Sequence, residues 1–338
     1  MKKFLQRDIY RERMLINGIL ILMSAWYIGS CLWVSLQRAD YPYELEWCES
    51  PIIDQALRIY DHEPYYVPPS LEWVTLIYTP LYFYLGAFSM KILGVSFAAL
   101  RIISILSTIG IGVLIYKILR SQGGDDTSSI SAPGLFFAAY SATGAWYDLA
   151  RVDMLALLLA VLAALFMIRG DKPKNAVLSA LCITLAFFTK QSFLILIILF
   201  AVHWFLAGRK SFLYYFIIVG TNLAAGFLFL HFQSQGLFWY YTFTAPAKHD
   251  LFSDRWLTFW TKDIILKYPV MSVLTVYILY FTVRKLWMNF FDYRRSALVF
   301  IVIGFFLTAW MGRLKVGGYD NTVIPAVIAL ALLSGIAM

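Results

Sequence analysis

Apolar stretches recur along this chain from Leu15 to the C-terminus, with short clusters of Lys and Arg between them. No other feature restricts the fold as tightly, because it makes lipid the solvent for most of the chain. Composition agrees: 61% of the 338 residues are hydrophobic and only 14% are charged, with a mean hydropathy of +0.70. A soluble protein of this size needs far more charge to cover its surface. The net charge of +8 does not call for nucleic acid, since the basic residues lie between apolar stretches, as in cytoplasmic membrane loops. The expected fold is an all-α polytopic membrane protein, with residues 1–338 as one domain.

Ten spans fit, at 15–36, 97–119, 130–146, 152–168, 175–189, 191–207, 212–230, 264–283, 297–311 and 321–338. The regions 130–168 and 175–207 are each too long for one crossing and short for two, at roughly 20 residues per helix. Each carries polar residues at its middle: Asp148, Arg151 and Asp153 in the first, Lys190 and Gln191 in the second. Read as hairpins, they place those groups at the outer boundary rather than in hydrocarbon. With the N-terminus inside, the inner segments hold 16 Lys+Arg and 6 Asp+Glu, and the outer ones 12 and 14, giving +10 against −2. This is the positive-inside bias, and the connections Arg169–Lys174, Arg209–Lys210 and Arg284–Arg295 all fall on the cytoplasmic side.

Two outward loops are long, at 37–96 and 231–263. Counting the apolar segment Trp73–Leu93 as a span would invert every later loop. It is expected to lie as a helix in the outer interface, where Tyr78, Tyr82 and Tyr84 are at home. The basic N-terminus resembles a signal peptide, but the run from Leu15 to Leu36 is too long and lacks a cleavage site, so it reads as an uncleaved first span. Cys31, Cys48 and Cys182 form no disulfide framework and no metal-ligand spacing. The last span ends at Met338, which suggests a chain truncated at its C-terminus.

The first loop concentrates carboxylates: Asp40, Glu44, Glu46, Glu49, Asp54, Asp61, Glu63 and Glu72. Carboxylates grouped beside an apolar wall raise one another's pKa, which suits a general base. Glu46 and Glu49 stand three apart and would share a face of a helix. A solvated acidic loop accounts for the same residues. Arg151, Asp153, Asp148 and Lys190 are open to mutual pairing, and Lys190 to snorkelling. His249, in the second loop, is a solvated residue or a contact to acceptor or metal. No His/Asp/Glu cluster has metal-ligand spacing, so no metal and no cofactor is predicted, with divalent metal left open.

The order of features resembles the GT-C glycosyltransferases, in the branch of the protein O-mannosyltransferases and aminoarabinose transferases. It runs from a basic N-terminus and one span through the acidic loop to Tyr65-Tyr66-Val67-Pro68, Tyr78-Thr79-Pro80-Leu81-Tyr82-Phe83-Tyr84, Gly94 and Phe97–Ser104. Arg151-Val152-Asp153, Lys190-Gln191 and Gly317-Gly318-Tyr319-Asp320-Asn321 resemble features of bacterial members. The resemblance implies a GT-C-like bundle of about ten helices in the plasma membrane (the inner membrane of a Gram-negative cell). It implies inverting transfer of a sugar from a polyprenyl-phosphate donor to a hydroxyl of a glycan, lipid or protein acceptor outside the cytoplasm. An acidic residue of the first loop, often within an Asp-Glu pair, serves as base in that family. Cys48-Glu49 falls on the pair, so Glu46 or Glu49, with Glu44 behind them, takes the role. The family's Lys before Pro-Pro-Leu is replaced by Tyr78 or Thr79, leaving Arg101, Arg151 and Lys190 as candidates for the carrier phosphate. Trp47, Trp73 and Tyr319 are candidates to stack on sugar rings, and Asp153, Gln191, His249 and Asn321 to bind substrate. A transporter of lipid-linked sugars and a non-catalytic subunit of a glycan-assembly complex are the rival readings.

Overall fold

The computed structural model describes residues 2–288 and 293–338, with side chains over 12–284 and 293–338. The centre of the expected connection Arg284–Arg295, and the side chains of Lys2, Lys3, Arg7 and Arg11, lie outside the described residues. Helices follow one another as α1 (Lys2–Ala39), α2 (Glu49–Tyr60), α3 (Leu81–Leu93), α4 (Phe97–Ser121), α5 (Asp126–Ala138), α6 (Asp153–Ile168), α7 (Pro173–Thr189), α8 (Leu194–Ala207) and α9 (Arg209–Gln233). Then come α10 (Arg255–Leu266), α11 (Pro269–Met288), α12 (Tyr293–Leu314) and α13 (Ile324–Ala337). Among the described residues there is no strand, only an isolated antiparallel bridge between Leu251 and Lys315.

Helix starts follow local chemistry. Ser96 accepts from the Ala99 N–H (3.3 Å) ahead of α4, and Asp125 from the Ser128 N–H (2.8 Å) ahead of α5. Pro173 and Pro325 stand in the first turns of α7 and α13, where a missing N–H costs nothing. Every expected span overlaps a helix over at least half of its length. Among the described residues, five helices are long and apolar enough to cross a membrane alone, and a sixth if α10 and α11, bent by 104°, count as one. The protein is a membrane protein built as a helical bundle. α13 runs through its centre, and small residues let neighbours close in: a Cβ on Gly335 would stand 2.7 Å from the Ala132 Cβ.

Three expectations are corrected. The span expected over 130–146 is helical only to Ala138, and 139–152 is a chain of turns. Asp148, Arg151 and Asp153 are not at a solvated boundary but are 1%, 5% and 3% exposed, because protein partners replace the water. The segment 73–80 is irregular rather than helical, and the helix begins only at Leu81. Tyr82 is wholly buried, its hydroxyl donating to the Leu100 carbonyl (3.1 Å), rather than interfacial. Side chains take up several backbone carbonyls of this segment in place of helix bonds. Gln55 donates to the Val74 carbonyl (3.3 Å), Tyr66 to Tyr78 (3.1 Å) and Gln191 to Ile77 (2.6 Å).

The first loop is fastened to the bundle by Arg101, which is completely buried in α4. Its Nε donates to Glu49 Oε1 (3.0 Å). One terminal nitrogen donates to the carbonyls of Arg38 (2.9 Å) and Tyr41 (2.7 Å). The other donates to the Tyr43 carbonyl (2.7 Å) and Glu49 Oε2 (2.7 Å). All five N–H groups are thereby used. The Glu49 oxygens also accept from the backbone N–H groups of Leu45 (2.6 Å) and Ala150 (2.7 Å). Removing one partner strands a buried charge, which costs about 3–5 kcal/mol. Glu49→Gln and Arg101→Met are therefore expected to lower the unfolding temperature sharply in detergent. The double variant should recover part of the loss, and single variants as stable as the parent would refute the assignment.

Candidate functional site

At the end of the bundle carrying the two long loops lies a cavity of about 460 Å³. One wall comes from the first loop and the starts of α6 and α8; the other comes from residues 242–249 and from 308–325. Of the residues singled out in the sequence, Trp47, Arg151, Asp153, Lys190, Gln191, His249, Tyr319 and Asn321 all line it. Five chain segments far apart in sequence thus converge on one space.

Its charged wall is a connected network. Arg151 NH1 donates to Glu46 Oε2 (3.0 Å), and its guanidinium lies 4.9 Å over the Trp146 ring. Arg151 Nε stands 4.0 Å from Asp153 Oδ2. Asp153 Oδ1 accepts from Lys190 Nζ (2.7 Å) and from Asn321 Nδ2 (2.9 Å). α6 begins at Asp153, so the carboxylate sits at a helix N-terminus, where the backbone dipole favours negative charge. Lys190 alone separates α7 from the helical turn that leads into α8, with extended backbone (φ −151°, ψ 114°), and that break turns its side chain to Asp153. Asp153 Oδ2, Asn321 Oδ1 and Gln191 Oε1 are buried without a hydrogen-bond partner among the described residues.

The first-loop carboxylates separate into three environments. Glu49 is sealed against Arg101, and neither residue lines the cavity. Glu44 is exposed and accepts from Ser50 Oγ (2.7 Å). Glu46 does not line the cavity itself but is joined to its wall through Arg151: Oε2 accepts from Arg151 and from the Cys48 N–H (3.2 Å), and Oε1 is buried without a partner among the described residues. Burial pushes the Glu46 carboxyl above its ordinary value of 4.5, against the opposing pull of Arg151. Glu46 and Glu49 share no helix face, because Glu49 opens α2 and Glu46 lies in the turn before it. Trp73 lies away from the cavity, with the Arg58 guanidinium 4.9 Å over its ring.

Asp148 pairs with Arg38 (3.3 Å) and accepts from Tyr140, not with Arg151. Among the described residues no three His, Cys, Asp or Glu side chains stand close enough to hold a metal. Lys315 also lines the cavity and escaped the sequence reading. Its one local signal is a basic residue two positions before the pair Gly317-Gly318.

Residues 78–234 match the family model described as dolichyl-phosphate-mannose-protein mannosyltransferase. The match takes in Arg101, Arg151, Asp153, Lys190 and Gln191, and begins after the first-loop carboxylates. No curated protein sequence matches the chain. Among solved structures, ArnT from Cupriavidus metallidurans bound to undecaprenyl phosphate is similar over 95% of this chain and 60% of its own, with TM-score 0.65 and 16% identity. The apo state of the same protein is similar over 96% and 60%, with TM-score 0.66 and 15% identity. The chain therefore spans about 60% of the length of the ArnT chains it matches. This chain has the fold of the GT-C membrane glycosyltransferases.

Proposed function

We propose that the chain transfers a sugar from a polyprenyl-phosphate carrier to an acceptor hydroxyl, with inversion, at the membrane face away from the cytoplasm. The observation that carries this reading is the network Arg151–Asp153–Lys190 on the wall of a cavity set among membrane helices, with Glu46 held to Arg151 behind it. The similarity to ArnT bound to undecaprenyl phosphate supports the carrier. The charge bias between the two sides, +10 against −2, supports the orientation.

Glu46 is the proposed base. As the acceptor oxygen forms its bond to the anomeric carbon, its proton passes to the Glu46 carboxylate. The bond from the anomeric carbon to the phosphate oxygen breaks, and its electron pair leaves with the polyprenyl phosphate. Glu49 cannot share this work, because its oxygens already accept four hydrogen bonds. Arg151 fixes the carboxylate that takes the proton. Asp153 and Asn321 hold Lys190 and the polar wall in place and offer acceptor atoms to sugar hydroxyls.

Glu46→Gln should lower the transfer rate by about 10²–10⁴-fold with little change in apparent donor affinity, measured with a lipid-linked sugar in proteoliposomes. Full transfer by this variant, with loss in Asp153→Asn, would move the base to Asp153 and overturn the assignment. Glu46 works only when ionised, and burial raises its pKa. The acid limb of the rate profile should accordingly lie above 4.5, falling as pH drops through it, and should vanish from the residual activity of Glu46→Gln.

A further inference from the structure

We infer that Lys315, together with the backbone N–H of Gly317, receives the phosphate of the lipid-linked donor, a task that Arg101, Arg151 and Lys190 are not placed to perform. The inference rests on the donor reading above. Arg101 has each N–H used within the protein. Arg151 and Lys190 reach the cavity, but they already face Glu46 and Asp153, two cations against two carboxylates. A phosphate brought to that wall would compete with carboxylates held at 2.7 and 3.0 Å.

Lys315 is different. It lines the same cavity and is half-buried, and its Nζ has only the Pro246 carbonyl, at 3.5 Å. No carboxylate stands within ion-pair distance of it among the described residues. A cation partly removed from water and left without a counter-ion raises the local affinity for an anion. The backbone around it adds a donor. Gly317 also lines the cavity, with φ at +83°, and its N–H has no hydrogen-bond partner among the described residues. Consecutive backbone groups in such a turn form a concavity suited to anions.

The loop is held from behind. Arg255 donates to the carbonyls of Arg313 (2.9 Å) and Gly318 (3.0 Å), and Arg313 to that of Gly318 (2.7 Å). Two backbone bonds fix its base: the Phe252 N–H to the Leu314 carbonyl (2.8 Å), and the Val316 N–H to that of Asp250 (3.0 Å). Gly318 must be glycine, since a Cβ there would collide with the Gly312 carbonyl.

Position gives the second argument. Lys315 shares the cavity lining with polar residues and with the apolar Leu194, Met311 and Val316, of which Met311 is 50% and Val316 44% exposed. Such a lining offers the donor polar partners for its sugar and apolar ones for its alkyl chain. Departure of the carrier converts a phosphodiester with one negative charge into a monoester with up to two. A fixed cation therefore binds the leaving group more tightly than the intact donor, which speeds the chemical step.

The test uses the full chain in nanodiscs and compares binding of polyprenyl phosphate, polyprenol and inorganic phosphate. Lys315→Gln should weaken polyprenyl phosphate at least about tenfold, the value of one hydrogen bond to a charged group, and leave polyprenol binding unchanged. Lys315→Met, which keeps the aliphatic stem, should behave alike, and Lys315→Arg should restore most of the affinity. Unfolding temperatures at the parent value would show that the neutral variants fold. Parent-like polyprenyl phosphate binding by both neutral variants overturns the assignment to Lys315 alone. Failure of the parent protein to prefer polyprenyl phosphate over polyprenol overturns the donor reading with it. Equal binding of inorganic phosphate and polyprenyl phosphate by the parent assigns the site to free phosphate and overturns the lipid source.

Discussion

The pair between Arg101 and Glu49 decides where the first loop lies, and the candidate site is laid out from it. Arg101 belongs to α4, its carbonyl partners to the end of α1 and the start of the loop, and Glu49 to the first turn of α2. The Ala150 N–H on Glu49 adds the turns between α5 and α6. Two ions without water hold their place only if every donor and acceptor is met, and here each is. The consequence is geometric. Glu46 stands three residues before Glu49, and Arg151 one residue after Ala150. The contact that fixes Glu49 against Ala150 therefore brings Glu46 to Arg151 at 3.0 Å.

The cavity wall built in this way is balanced in charge. Glu46, Arg151, Asp153 and Lys190 form an alternating chain of two anions and two cations, closed by Asn321 from the far side. In low dielectric such a chain resists both the loss of a member and the arrival of an extra charge. It is suited to holding a carboxylate ready for a proton and to offering acceptor atoms to hydroxyls. A phosphate needs a cation that this wall has not already matched, and Lys315 stands on the opposite wall.

Much of the bundle was legible in the sequence, because a crossing needs a length of apolar residues and any chain that crosses shows it. The ten spans each overlap a helix, though the one over 130–146 only to Ala138, and the convergence of Arg151, Asp153, Lys190, Gln191 and Asn321 follows from placing their segments at one end. What escaped depends on partners distant in sequence. Nothing local distinguishes Glu46 from Glu49, since Arg101, 52 positions away, selects one of them for the interior. The segment 73–80 has the composition of a helix but is irregular, and Gln55, Tyr66 and Gln191 bond to three of its carbonyls. Asp148 and Arg151 read as boundary charges because charge counting does not distinguish burial among partners from exposure to water. Lys315 was overlooked because its significance lies in a counter-ion it lacks.

The site also divides by origin. The wall carrying Arg151, Asp153, Lys190 and Gln191 lies within residues 78–234, the segment that matches the family model. The opposite wall, His249 and the stretch from Lys315 to Asn321, lies beyond it. The two walls are not independent: Asn321 donates to Asp153 across the cavity, and the bridge between Leu251 and Lys315 ties the second loop to the glycine turn. A change in the second loop near Leu251 thus bears on Lys315 through the backbone, while Asn321 passes any shift of that turn to Asp153 and Lys190. On the proposed reading, selectivity for carrier and acceptor resides in the wall outside the matched segment, and the proton-handling carboxylate is held by the wall anchored to Arg101.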